Sequence, residues 1–374
     1  MAVNTQPREI ISRDGASGYL AIDLKALQQN YRQLVERAAP VPVAAVVKAN
    51  AYGLDANRVA PALREAGCRD FFVAHIGEAL RVKPFLDGNA RIFVLNGLQP
   101  GAEGTCADEG IIPVLNSLEQ VENWSQTASG RRARLPAVLQ IDSGMSRLGL
   151  PPEEVETLAN NPGLLGSIDL LYIMSHLASG DESDCIQNAD QLAAMRAASA
   201  HFPSLPLCFA NSGGIFLGEN FHGAMVRSGI ALCGGAPTDA IANPMRPVVR
   251  LDVRVIQTRT VPAGTRVGYG GAHVTTTETR LATIAAGYAD GLPRSLSHKG
   301  AAYYNGTRLP IVGRVSMDSI TIDVSALSPS TLKLGSLVEL IGPHQTLEAI
   351  AADAGTISYE ILTGLGDRYH REYR

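Results

Sequence analysis

The chain has 374 residues, 45% hydrophobic and 18% charged, with a formal net charge of −4. It is long enough for one large domain or two ordinary ones, and its charge gives no reason to expect nucleic acid or an anionic membrane as partner. The five scattered cysteines (Cys68, Cys106, Cys185, Cys208 and Cys233) form no CxxC pair, so neither a zinc site nor a redox dithiol is indicated and reduced thiols in a cytosol fit best.

The opening stretch "MAVNTQPREIISRDGASG" is polar and lacks the apolar core of a signal peptide. No run of about 18 apolar residues offers a membrane span. We therefore read residues 1–17 as an N-terminal extension of a cytoplasmic protein. "IDLKALQQNYRQLVERAA" follows, with Leu24, Leu27, Tyr31, Leu34, Val35 and Ala38 at three- and four-residue steps, the spacing of an amphipathic helix.

Short apolar runs then alternate with helical stretches such as "PEEVETLANN" and "ADQLAAMRAASAHF". The runs cover residues 43–47, 71–74, 91–95, 111–115, 136–141, 168–174, 207–210 and 224–226. Eight buried strands separated by helices predict a (β/α)8 barrel over residues 18–245, with a doubly wound open sheet as the alternative. Lys48, His75, Asn96, Asn116, Asp142, His176, Asn211 and Arg227 each fall at or just after a strand end, the rim that carries the active site of such barrels. The plainer account is that loops are polar.

In "AVVKANAYGL" a lysine directly follows a buried strand. A desolvated lysine has a depressed pKa and can condense with an aldehyde; a snorkelling surface lysine is the other reading. Past residue 245 the pattern changes. "VVRLDVRVIQTRTV" alternates apolar and polar residues, as a half-exposed antiparallel strand does. "RLATIAAGYADG", "LPIVGRVSMDSITIDVS" and "SLVELIG" look like further strands, so residues 246–374 are read as a mainly-β domain.

Nine ordered strings, "AVVKANAYGL", "IDSGMSRLGL", "SHLASGDE", "ANSGG", "VRSGIALCGG", "VGYGG", "GYADGLPR", "PIVGRVSMD" and "SYEILTGLG", together resemble the alanine racemase family. These are fold-type III enzymes that use pyridoxal 5′-phosphate (PLP), and the resemblance spans residues 18–373. It implies an eight-stranded barrel followed by a β domain, an amino-acid substrate, and a homodimer whose two active sites borrow residues from the partner. It also implies racemisation of alanine that supplies D-alanine for peptidoglycan or degrades it.

Residue by residue, the resemblance implies that Lys48 binds PLP covalently and is one base. Tyr269, reaching in from the partner, is the other base. His176 links that tyrosine to Arg227, and Arg227 faces the pyridine nitrogen. Tyr52, Ser212, Gly229, Ile230 and Tyr359 grip the phosphate. Arg147 contacts the cofactor's phenolate oxygen and the substrate carboxylate, and the Met317 backbone is the other carboxylate contact. Asp181, Tyr288, Arg294 and Arg314 line the entrance. Three positions depart from the common pattern: Gln140 stands where many members have a carbamylated lysine bracing the arginine, Cys233 where tyrosine is common, and Leu292 where an aromatic is common.

An arginine cannot readily give up a proton, so Arg227 favours racemisation over decarboxylation; the related decarboxylases place an acid there. A racemase of broader range, or a non-catalytic PLP-binding protein, is a further alternative. A metal hydrolase is disfavoured because no HxH pair follows the first strand.

Overall fold

The computed structural model describes residues 15–374, so most of the N-terminal extension expected over residues 1–17 lies outside the described residues. The chain divides into two units: residues 26–246, and residues 247–374 together with the segment up to Lys25. Strand β1 (Gly18–Ile22) belongs to the second unit. The sequence reading placed these five residues with the barrel.

The first unit is built on the eight apolar runs. β2 (Val43–Val46), β3 (Asp70–Val73), β4 (Arg91–Val94), β5 (Ile112–Leu115), β6 (Leu135–Gln140), β7 (Ile168–Met174), β8 (Leu207–Cys208) and β9 (Val226–Ser228) form one parallel sheet in the order β8-β7-β6-β5-β4-β3-β2-β9. A parallel bridge between Cys208 and Met225 joins its two ends, so the sheet is a nearly closed TIM-type barrel. The strands are mostly apolar, with polar residues chiefly at their ends, because helices cover the outside and side chains fill the inside. Phe71, Phe72 and Phe93 are almost completely buried there, and Phe72 stacks on Phe93 at 4.5 Å between ring centres.

The last barrel strand differs from the expected 224–226. It runs two residues further, so Arg227 lies inside β9, opposite Ala44 of β2, and is 3% exposed. A guanidinium is tolerated there because Nη2 donates to the carbonyls of Ser175 (2.6 Å) and Phe209 (3.0 Å). The first helix, Leu24–Ala38, buries Leu27, Tyr31 and Leu34 as expected but leaves Val35 exposed. It also buries Asn30, whose amide bonds the carbonyls of Leu232 and Arg246 and the Arg246 N–H.

The second unit is a mainly-β domain around β10 (Val249–Val261). The first seven residues of β10 alternate buried and less buried positions, as the sequence pattern predicts. β10 pairs with β1 and with Leu337–Ile341 along its first half, and with Thr279–Ile284 along its second. Strand His370–Tyr373 lies parallel to β1 at the edge. A short hairpin, Arg266–Val267 against His273–Val274, stands apart from this sheet.

Candidate active site

Lys48 follows β2 and opens an unusual turn. Ala49, Asn50, Ala51 and Tyr52 all have φ between 51° and 56°, and Gly53 completes a left-handed turn with φ 83°. Left-handed backbone costs an L-residue roughly 1–2 kcal/mol each and is visited as single residues rather than runs. The turn is held by specific bonds. Gly53 N–H donates to the Ala49 carbonyl (2.8 Å), and Asn50 Oδ1 accepts from Ala56 N–H (2.9 Å). The Glu78 carboxylate accepts from the N–H groups of Ala49 (2.7 Å), Ala74 (2.7 Å) and His75 (3.2 Å). Strain concentrated beside one lysine is a mark of a functional turn.

Lys48, Arg147, His176 and Arg227 line one cavity of about 820 Å³ at the C-terminal end of the barrel strands, with His75, Asn96 and Gln140. Three cations sharing a cleft repel one another's protons. The Lys48 ammonium is pushed below the ordinary lysine range, first by burial and then by Arg147 and Arg227. His176 is held well below 6.5 by burial, then by Arg227, Arg147 and Lys48, so it is neutral at neutral pH. The site thus favours anions and holds a lysine readied as nucleophile and base.

The Arg227–His176 contact fixes a tautomer. Arg227 Nη1 lies 3.4 Å from His176 Nδ1. A guanidinium has only donors, so Nδ1 accepts and the imidazole proton sits on Nε2. The Arg227 Nε, also buried, has no hydrogen-bond partner among the described residues. A buried charged N–H left unpaired is costly.

A second cluster lies beside β8 and β9. Ser212 Oγ accepts from the N–H groups of Gly229 (2.9 Å) and Ala231 (3.5 Å) and lies 3.3 Å from Ser228 Oγ. A Cβ on Gly229 would stand 2.1 Å from the Tyr52 hydroxyl, so only glycine lets that tyrosine close on the Gly229–Ile230 backbone. Hydroxyls and backbone N–H groups converge here without a titrating charge, as suits a phosphate. The structure therefore brings together Tyr52, Ser212, Gly229 and Ile230.

Some rim residues follow the plainer reading. Asn116 spends its amide N–H groups on the carbonyls of Leu95 and Val114; Asn211 donates to the Leu177 carbonyl and accepts from the Gly214 N–H. Asp142 Oδ1 accepts from the N–H groups of Gly144, Met145 and Ser146, which shapes the loop that carries Arg147. Asp181 is exposed on the barrel unit. Glu78 was missed by sequence reasoning; its signal was a glutamate at the third position of a helix, three residues after His75.

The remaining expected residues lie in the mainly-β unit. Tyr269 sits at the tip of the short hairpin, 70% exposed, between Gly268 and Gly270. Arg294 and Arg314 line one surface cavity with His298. Tyr288, Met317 and Tyr359 are all exposed. The peptide after Tyr288 is tied to Met317, whose carbonyl accepts from Ala289 N–H at 3.0 Å. Of the departures, Cys233 and Leu292 are buried packing residues, and burial pushes the Cys233 thiol up to about 12. Gln140 is buried in the cavity wall, yet Arg147 has no hydrogen-bond or ion-pair partner among the described residues.

Comparison with known proteins agrees with this geometry. Residues 22–237 match the model of the alanine racemase N-terminal domain, and residues 248–373 that of the alanine racemase C-terminal domain. A protein of Agrobacterium fabrum named "Alanine racemase, catabolic" is 63% identical over 96% of this chain and 92% of its own length. An alanine racemase of Brucella canis is 58% identical over 96% of this chain and 94% of its own. The crystal structure of alanine racemase from Bartonella henselae with covalently bound pyridoxal phosphate superposes with a TM-score of 0.93 at 47% identity, covering 96% of this chain and all of that one. With both domain models matched in order over nearly its whole length, this chain belongs to the alanine racemase family.

Proposed function

We propose that this chain interconverts L- and D-alanine with PLP held at the barrel mouth, as a homodimer in which each site takes Tyr269 from the partner subunit. The observation that carries the reading is the shared cavity of Lys48, Arg147, His176 and Arg227. The residues fit the cofactor. The unpartnered Arg227 Nε suits a ring nitrogen, the Tyr52–Ser212–Gly229 cluster suits a phosphate, and Lys48 suits a covalent bond to the aldehyde. When bound, PLP withdraws electron density from the substrate's Cα–H bond and makes that proton removable.

The chain's own residues do the rest. Lys48, its ammonium destabilised, exchanges a proton with Cα from one face. Arg147 supplies the positive charge for the substrate carboxylate, joined by the Met317 backbone. Tyr269 works from the opposite face. Free tyrosine titrates near ~10, too high for an efficient base near neutrality. His176 remedies this. With Nδ1 occupied as acceptor of the Arg227 bond, its Nε2–H is the donor available to a phenolate. Arg227 remains protonated and so leaves the nitrogen it faces unprotonated, which limits charge withdrawal and favours return of the proton to Cα.

Two close relatives carry "catabolic" in their names, which supports a degradative use of D-alanine over supply for peptidoglycan. The test of the activity is a racemisation assay of PLP-loaded protein over a panel of amino acids. Interconversion of alanine in both directions, faster than of any other amino acid, is expected. No turnover, or a faster rate with another amino acid, would overturn the reading. Growth of a deletion strain separates the two roles: loss of growth on D-alanine as carbon source supports degradation, and D-alanine auxotrophy supports wall supply.

A further inference from the structure

The Asp142 carboxylate shapes the loop carrying Arg147 from within, but that does not fix where the loop sits. The ties across to the next loop come from one helix, Ile186–Ser199. Gln191 is fully buried. Its Nε2 donates to the Ser143 hydroxyl (3.3 Å) and to the carbonyl of His176 itself (2.9 Å), and its Oε1 accepts from Ala178 N–H (2.8 Å). One turn earlier, Gln187 repeats the pattern: Nε2 donates to the Gly144 carbonyl (3.1 Å) and Oε1 accepts from the Ser179 hydroxyl (3.0 Å). Residues four apart share one helix face. A direct contact, Ser143 Oγ to Ser175 Oγ at 2.7 Å, lies beneath them.

We propose that Gln187 and Gln191 are positioning residues that strap the loop of Arg147 to the loop of His176. The strap does the work of the brace that is missing at position 140. Arg147 has no hydrogen-bond or ion-pair partner of its own among the described residues, so its position follows that of its loop, which Asp142 shapes from within and these bonds tie to the loop of His176. An amide of this length suits the position, because each glutamine both donates and accepts. A carboxylate only accepts and an ammonium only donates. Cutting the strap loosens the carboxylate-binding arginine most; Lys48 and the phosphate cluster lie on other elements and stay in place, and Arg227, which also bonds Ser175 and His176, keeps its tie to the Phe209 carbonyl.

This inference rests on the functional reading above, in which Arg147 receives the substrate carboxylate. The experiment compares Gln187→Leu, Gln191→Leu and the double variant with wild type as PLP-loaded enzymes. It reads kcat and KM for alanine, inhibition by propionate (which shares only the carboxylate), cofactor absorbance and melting temperature. For Gln191→Leu, KM rises about tenfold, the factor equivalent to about 1.4 kcal/mol. Propionate inhibition weakens in parallel, kcat falls by less, and absorbance is retained. Gln187→Leu shows the same split at smaller size, and it decides the matter alone if the buried Gln191 variant fails to fold. Unchanged KM and propionate inhibition in soluble, PLP-loaded variants of an active wild type would overturn the strap and leave the functional reading intact. A wild type inactive on alanine would overturn the functional reading itself.

Discussion

Ser212 and Arg227, in the barrel, are 4% and 3% exposed, and each is hydrogen-bonded by its own neighbours. Tyr269, Met317, Tyr288 and Tyr359, in the mainly-β unit, are 70%, 52%, 44% and 37% exposed. The contrast separates two kinds of site residue. Groups that grip a cofactor must be preorganised, so the barrel surrounds them with bonds to carbonyls and hydroxyls. Under the proposed dimer, large side chains left exposed on a hairpin tip and short helical segments are the ones a partner would cover. If the proposed homodimer forms, the two regions contribute to each site in different ways: one fixed within the chain, the other completed by assembly.

The strongest way to break the barrel half is Lys48→Ala. It should remove the cofactor's visible absorbance, leave no adduct after borohydride reduction, and abolish racemisation. A borohydride-fixed adduct on the variant chain would mean that another lysine holds the cofactor.

Tyr269→Phe tests the other half. It should keep the absorbance and lose roughly 10²–10⁴-fold in rate, the usual worth of one acid–base group. Mixed with Lys48→Ala, it should recover activity. A mixed dimer carries both lesions in one site and neither in the other. With free exchange about half the dimers are mixed, so up to roughly a quarter of wild-type sites return. If mass measurement shows exchange and no activity returns, Tyr269 does not serve the partner's site.

Arg227→Glu has a smaller effect on rate, roughly 10²–10³-fold as for loss of one preorganised donor, but it changes the outcome. A carboxylic acid facing the ring nitrogen can protonate it. Transfer of the amino group to the cofactor should then appear as a side reaction during turnover. An unchanged product partition and spectrum would place Arg227 away from the ring.

The barrel was legible because most of the buried strands are built on a short apolar run followed by a turn. Seven of the eight begin within one residue of where the pattern puts them. The eighth escaped because Arg227 looks like a strand terminator until its two carbonyl partners, 18 and 52 residues away in sequence, are known. β1 escaped for another reason: Gly18–Ile22 is a short apolar run leading directly into the first helix, and its partner β10 lies more than 200 residues on. The motifs singled out Lys48, Arg147, His176 and Arg227, which the structure gathers around one cavity. The supporting amides, Gln187 and Gln191, were not legible, because their bonds to the Arg147 loop reach back more than 40 residues and leave no trace in local spacing; Glu78 had only the weak signal of its helix position.

His176 offers a gentler probe. Its folded-state pKa is depressed, so the unfolded chain takes up the proton first. Stability should be fully present above 6.5 and be lost as pH falls below it, by at most about 1.4 kcal/mol per pH unit. His176→Asn in the cofactor-free protein should flatten this slope in urea midpoints measured across that range. An identical slope would show that the imidazole is not buried neutral.

The smallest expected effect is none at all, at position 140. A lysine there can take up CO2 as a carbamate and pair with the arginine, whereas Gln140 has no amine to react and no charge to offer. Depleting bicarbonate should leave both kcat and KM unchanged, and mass analysis should find residue 140 unmodified. Gln140→Lys sharpens the point. If the cavity wall admits the carbamate, the variant should gain a dependence on bicarbonate that wild type lacks, seen as a KM that falls when bicarbonate is restored. Unreacted, the same lysine adds a fourth cation beside Lys48, Arg147 and Arg227, and KM in depleted buffer should shift away from the wild-type value. A wild type rescued by bicarbonate would mean that Arg147 is steadied by an anion after all, and that the glutamine strap is not its main restraint.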